Sequence, residues 1–304
     1  MDKTPIKIIA LIVIPLILAV IIKFVSWNRG DTEGGKSNKS GRQDLFDSSK
    51  KPSVKINTTW LLPDDILEVS GIAWVDTDRF ACVQDEMGKV FIFNTRINKI
   101  EREIPFAKNG DYEGVAVSDD AIYVLQANGS IFEIAGYKND KPKVSVYDTH
   151  LKKKQDAESL AYDKNNNRLL VAVKAVDLNS SDYKGIYAFD LASKQMAAMP
   201  VFKIDLKNEI FKDVNKGKIE NSISPSDLAI HPLTGELYII EGTKPKLLIM
   251  DTKGSIVSLY DLKGSDFAQP EGITFDPQGK MYISNEGNKQ PGNILQVELA
   301  DRAN

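Results

Sequence analysis

The chain has 304 residues, 42% of them hydrophobic, enough to bury a sizeable core and too many for a chain disordered throughout. Lys and Arg number 39 against 42 Asp and Glu, and the residues after position 52 alone carry a net charge of −7. That is a poor footprint for a polyanion binder, so nucleic acid is not an expected partner. The single cysteine, Cys82, excludes internal disulfides, Cys-rich zinc sites and CxxC redox chemistry. Its apolar setting, Phe80-Ala81-Cys82-Val83, reads as a buried, inert thiol.

Fifteen consecutive apolar residues, Ile8 to Ile22, lie between Lys7 and Lys23, with Trp27 beyond them. This is the pattern of a membrane-spanning helix with an interfacial aromatic, and residues 1–27 are expected to form an N-terminal membrane anchor. Lys23-Phe24-Val25-Ser26-Trp27 lacks the small-residue site of a cleaved signal peptide. Positive charges after the span favour a cytoplasmic C-terminal part, whereas a short leader before a lone anchor favours export. The expectation adopted is a monomer, tethered to the cell membrane by one span, with its domain on the extracytoplasmic (periplasmic) side. Residues 28–52 are polar and Gly/Ser-rich and read as a disordered linker, leaving 53–304 as the folded domain.

That domain contains an internal repeat. Val69-Ser70-Gly71-Ile72-Ala73, Tyr112-Glu113-Gly114-Val115-Ala116, Ala157-Glu158-Ser159-Leu160-Ala161, Pro225-Ser226-Asp227-Leu228-Ala229 and Pro270-Glu271-Gly272-Ile273-Thr274 align without gaps, their second positions 43, 45, 68 and 45 residues apart. Each runs into a polar turn and then an aliphatic or aromatic strand: FACV from Phe80, IYVL from Ile122, LVAV from Leu170, LYII from Leu237 and MYIS from Met281. A third strand and usually a fourth follow. Four short strands at a period near 45 residues describe a propeller blade, which cannot bury both faces alone and must stack in a ring. The fold class is therefore all-β, a single β-propeller of five blades. The last repeat supplies only three strands, and Val54 to Leu61 is expected to be its fourth, closing the ring and removing two free edges. The long interval holds insertions at Val176 to Lys184 and Leu206 to Ile223; a sixth blade would need four strands from the 18 residues of the second, which is too few.

A polar residue recurring at one place in the innermost strand forms a ring around the axis. The second motif position gives Ser70, Glu113, Glu158, Ser226 and Glu271. Three glutamates on one axis repel unless a cation compensates them or one keeps a proton. The residues ending the second strands give another polar column, Gln84, Gln126, Lys174, Glu241 and Asn285, extended toward one rim by Asp85, Glu86 and Glu286, and Lys174 is an internal counter-charge. Oxygen-only side chains suit a hard ion, and Glu113, Glu158 and Glu271 are the expected ligands of a Ca²⁺ at the channel mouth. The remaining channel residues would hold a ligand or support the metal. The alternative is that all of them hydrate the channel and hydrogen-bond neighbouring blades. His150 and His231 belong to no His cluster, which speaks against zinc. Asp163-Lys164-Asn165-Asn166-Asn167-Arg168 has Arg168 where a calcium loop needs Gly, and reads as a polar hairpin tip.

Ser70-Gly71, Glu113-Gly114, Glu158-Ser159, Ser226-Asp227 and Pro270-Glu271-Gly272, in this order, resemble the SdiA-regulated (YjiK-like) family of bacterial propellers over roughly residues 60 to 299. Asp111-Tyr112-Glu113-Gly114, Lys174 and Tyr282-Ile283-Ser284-Asn285-Glu286 add to the resemblance. Two places depart from it: Asn285 displaces an acidic residue by one position, and Asp227 stands where a Gly is expected. The resemblance implies an anchor or export signal, a propeller and a Ca²⁺ in the acidic channel, with a looser similarity to propellers called phytase-like esterases. It implies no reaction. Two functions from different classes follow: a membrane-tethered module binding a small molecule or protein partner, with a cation in its channel mouth, or a Ca²⁺-dependent hydrolase of phosphoesters or lactones in which Glu113, Glu158 or Glu271 activates water. Lys174 is the only basic residue the channel columns offer to grip a phosphate, which favours binding.

Overall fold

Each repeat becomes one antiparallel sheet. In the computed structural model residues 53–262, 264–287 and 291–300 are described. The expected anchor (1–27) and linker (28–52) lie outside them; among the described residues no helix is long and apolar enough to cross a membrane.

The first strand, β1 (Val54–Leu61), precedes blade one, which is β2 (Val69–Asp76), β3 (Arg79–Gln84), β4 (Lys89–Asn94) and β5 (Lys99–Pro105). Blade two is β6 (Tyr112–Val117), β7 (Ala121–Gln126), β8 (Ile131–Ala135) and β9 (Lys143–Tyr147). Blade three is β10 (Ala157–Asp163), β11 (Arg168–Val173) and β12 (Tyr183–Asp190), with a fourth strand broken into β13 (Gln195–Met196) and β14 (Phe202–Asp205), both paired with β12. Blade four is β15 (Asp227–Ile230), β16 (Leu237–Glu241), β17 (Lys246–Met250) and β18 (Ile256–Asp261). Blade five is β19 (Pro270–Phe275), β20 (Met281–Asn285) and β21 (Asn293–Leu299), completed by β1. Pairing of β1 with β21 runs from Val54 opposite Leu299 to Leu61 opposite Asn293, so the N-terminal strand closes the ring as its missing outer strand.

The innermost strands β2, β6, β10, β15 and β19 each touch the next, and β19 returns to β2. Five buried apolar clusters fill the blade junctions. One such cluster, joining Phe80, Cys82, Phe91 and Phe93 of blade one to Tyr282 and Ile294 of blade five, lies at the closing seam. Cys82 is fully buried there, and burial pushes its thiol far above the ordinary range, in keeping with an inert packing role. The insertion at residues 206–223 is helical: the turns Glu209–Phe211 and Ile219–Asn221 flank the helix Lys212–Asn215, and Leu206, Phe211 and Ile223 join the core between blades three and four. It is a strap over a blade junction and contains no sixth blade. The hairpin after β10 is closed internally, with the Asp163 carboxylate accepting from Asn166 and from Arg168 Nε at 2.8 Å.

Candidate functional site at the acidic channel mouth

Four of the five innermost strands carry a β-bulge near their start, and the extra residue is the second motif position every time. Register slips between Val69 and Gly71, Tyr112 and Gly114, Ala157 and Ser159, and Pro270 and Gly272. Ser70, Glu113, Glu158 and Glu271 are therefore the residues left out of the ladder. A bulge re-aims its side chain. Here it turns all four away from the blade junctions that their neighbours fill, and into one cavity of about 150 Å³ at the channel mouth. In blade four the paired ladder begins only at Asp227, one residue past this place. Ser226 is buried instead, accepting from Gly242 N–H and hydrogen-bonding Glu271.

Six carboxyl groups line this cavity: Glu68, Asp85, Glu113, Glu158, Glu271 and Glu286. One ammonium faces them, Lys174, whose Nζ lies 2.7 Å from Glu158 Oε1. Burial pushes Glu113 up to about 9, helped by the neighbouring Glu158 charge. Glu158 rises to about 8, again through burial, although Lys174 opposes it. Glu271 and Glu286 also rise, chiefly by burial. Burial alone would lower Lys174, but Glu158 and then Glu271 outweigh it and hold its proton more firmly than usual. Near neutral pH the mouth therefore keeps protons on its deepest carboxyls. Gln269 Nε2 donates to Glu286, whereas Asp85 Oδ1 is buried and finds no donor among the described residues.

The second column divides. Lys174 and Glu286 line the cavity; Gln84, Gln126, Glu241 and Asn285 do not. Gln84 Oε1 accepts from the amides of Glu86 and Met87, shaping the loop after β3. Gln126 accepts from Asn128 at 3.1 Å. Glu241 forms a buried ion pair with Lys246 and accepts from Ser224 N–H. Asn285 donates to Asp266 O and Asn293 Oδ1. These four termini are polar because they tie loops and neighbouring strands together. Glu68 and Gln269, which the sequence reading did not single out, also line the mouth. Each stands two residues before a bulged residue, Ser70 or Glu271, and that spacing was the available signal.

The expected calcium ligands Glu113, Glu158 and Glu271 do share the cavity, yet among the described residues no group of three or more His, Cys, Asp or Glu is arranged to hold a metal ion. Glu158 is committed to Lys174, and Glu113 and Glu271 lie within the same ammonium's field. The residues as placed fit an ammonium better than a calcium ion.

At the other end of the channel the strands open into a second cavity of about 330 Å³, whose walls include Trp74, Val117, Tyr162, Ile230 and Phe275. Its walls are mainly apolar side chains, with Lys164, Thr274 and Asp276 among them.

The propeller is similar to glutaminyl cyclase from Myxococcus xanthus, with a TM-score of 0.56 and 14% identity, covering 82% of this chain and 97% of that one. Virginiamycin B lyase from Staphylococcus aureus is similar at a TM-score of 0.43 and 13% identity, covering 80% of this chain and 74% of that one. At such identities the likeness to the cyclase speaks for the fold alone, and the likeness to the lyase carries no argument. No curated protein matches the sequence. The SdiA-regulated family model matches residues 54–290, from the closing strand through the first two strands of the last blade, and the chain belongs to the SdiA-regulated family.

Proposed function

We propose that this propeller is a binding module whose acidic mouth receives a small organic cation, an amine or diamine, beside Lys174. One observation carries the reading: six carboxyl groups converge on a cavity holding a single ammonium, and one buried oxygen among them, Asp85 Oδ1, lacks a donor. An ammonium already sits on Glu158, so the chemistry of the pocket accepts that group. A second positive charge would draw Glu113 and Glu271 into their ionised forms and strengthen its own binding. The apolar run Ile8 to Ile22 supports the further reading that the module is carried at a membrane.

Metal-dependent hydrolysis is the second class, and the site favours it less. The three glutamates do not form a ligand set, and Lys174, the one basic group lining the cavity, is held by Glu158. No hydrolytic step is derived from this geometry.

The test is calorimetric titration with ethylenediamine at pH 7.5, beside methylamine and CaCl₂. The diamine is expected to bind, and Glu113→Gln or Glu271→Gln to weaken it about tenfold or more, the scale of one charge-assisted hydrogen bond. Saturable Ca²⁺ binding with no response to either amine would overturn the reading in favour of a metal site.

A further inference from the structure

Each innermost strand has a partner on one side only, so its other edge presents backbone N–H and C=O groups to the axis. Left unpaired and buried, such groups are costly. At the third motif position the strands approach so closely that a Cβ on Gly71, Gly114 or Gly272 would come within 2.6, 2.7 and 2.8 Å of Glu113 O, Leu160 Cβ and Ile72 N on the next innermost strand. Blade four has Asp227 at this position, 1% exposed. Its Oδ1 accepts from the N–H of Leu228 at 2.8 Å and of Leu160 at 3.3 Å, and its Oδ2 from the N–H of Ile273 at 2.9 Å. Leu160 belongs to blade three and Ile273 to blade five. A carboxylate that reaches both from blade four must lie toward the axis, between the two mouths. The same device recurs nearer the apolar mouth, where Thr274 Oγ1 accepts from Trp74 N–H at 3.1 Å.

We propose that the amides of Leu160, Leu228 and Ile273 form a receptor for a small carboxylate-like anion on the propeller axis, with Asp227 as its tethered occupant. Three backbone donors from three blades converge on two oxygens, the pattern by which backbone amides bind anions elsewhere. The occupant pins the three blades together and separates the acidic mouth from the apolar one. Burial raises the Asp227 carboxyl well above its ordinary range while the three amides oppose the rise, and Glu271 is the charged neighbour that adds to it.

Replacing the occupant should empty the receptor. Asp227→Gly restores the residue that three other blades carry, and the prediction is a lowered melting temperature that 50 mM sodium formate recovers by at least half. Wild type in the same formate, and the variant in equimolar sodium chloride, should move by much less. Equal formate shifts in both proteins, or a variant that melts like wild type without formate, would overturn the proposal. If Asp227→Gly does not fold, Asp227→Asn gives the answer by amide hydrogen exchange. That variant's side chain keeps one acceptor oxygen and turns a donor to the other side, so Leu160 or Ile273 should exchange at least tenfold faster than in wild type while Leu170 stays unchanged; unchanged rates at both would reject the receptor.

Discussion

At one end of the innermost strands stand Ser70, Glu113, Glu158, Ser226 and Glu271; four residues on, at the other end, stand Trp74, Val117, Tyr162, Ile230 and Phe275. In a regular strand residues four apart share a face. In four of the blades they do not, because the bulge at the first column takes its residue out of the alternation. The acidic mouth is thus a product of backbone irregularity, whereas the apolar mouth is where the strands, four of them without a further register shift, run out beyond the blade junctions. One end gathers charge that burial makes expensive, and the other gathers mainly apolar surface. The contrast teaches that in this ring chemistry is placed by register, blade by blade.

The largest effect should come from breaking the ring that creates both mouths. Removing residues 1–52 is expected to leave a cooperative fold, whereas removal through Leu61 deletes β1, bares the edge of β21 and should lower the melting temperature by more than about 10 °C. Equal melting of the two truncations would contradict closure by β1.

Next in size is Lys174→Met, which strips the acidic mouth of its ammonium. Glu158 is then buried without a partner, at a cost of about 1–3 kcal/mol at pH 8.5 because Lys174 is partly exposed. At pH 5, well below the value of about 8 that burial gives Glu158, its carboxyl is protonated and the loss should nearly vanish. Urea melts at the two pH values check this; a loss independent of pH would mean that Lys174 acts by packing.

A further effect separates the mouths directly. Glu113 has its folded value raised to about 9, so the folded state binds protons more tightly than the unfolded chain, and its stabilising contribution is lost as pH rises from about 4.5 through 9. Glu113→Gln should flatten the decline of stability over that range. Ile230→Thr, at the apolar mouth, should cost about 1 kcal/mol equally at every pH. Parallel pH profiles for wild type and Glu113→Gln would remove the claim that the mouths differ electrostatically.

Much of the architecture could be read from residues alone. The five aligned motifs and the missing fourth strand of the last repeat fixed blade number and closure, because a period near 45 residues reflects a unit that must stack. The acidic column was legible too, as was Lys174 as its counter-charge. Gln84, Gln126, Glu241 and Asn285 read as channel residues and turned out to bind loops and neighbouring strands, since a polar strand end serves a capping role as readily as a lining one. Bulges leave little trace in a sequence, so nothing in it distinguished Glu113, turned into the cavity, from Ser226, buried beside Glu271. Asp227 was visible as a departure from glycine. Its meaning depended on amides two blades apart, which no local pattern encodes.

The claim that the acidic mouth receives an organic cation is tested most directly by proton counting. Ethylenediamine is titrated into the protein at pH 7.5 in phosphate and again in Tris, whose ionisation enthalpies differ widely. Glu113 and Glu158, raised to about 9 and 8, hold protons at that pH, and a bound cation must drive them off. After correction for the protons that the diamine itself exchanges with buffer, the claim predicts a binding enthalpy that changes with buffer by release of between about one and two protons, and about one proton fewer in Glu113→Gln. Binding with no net proton release, or no binding at all, would contradict it.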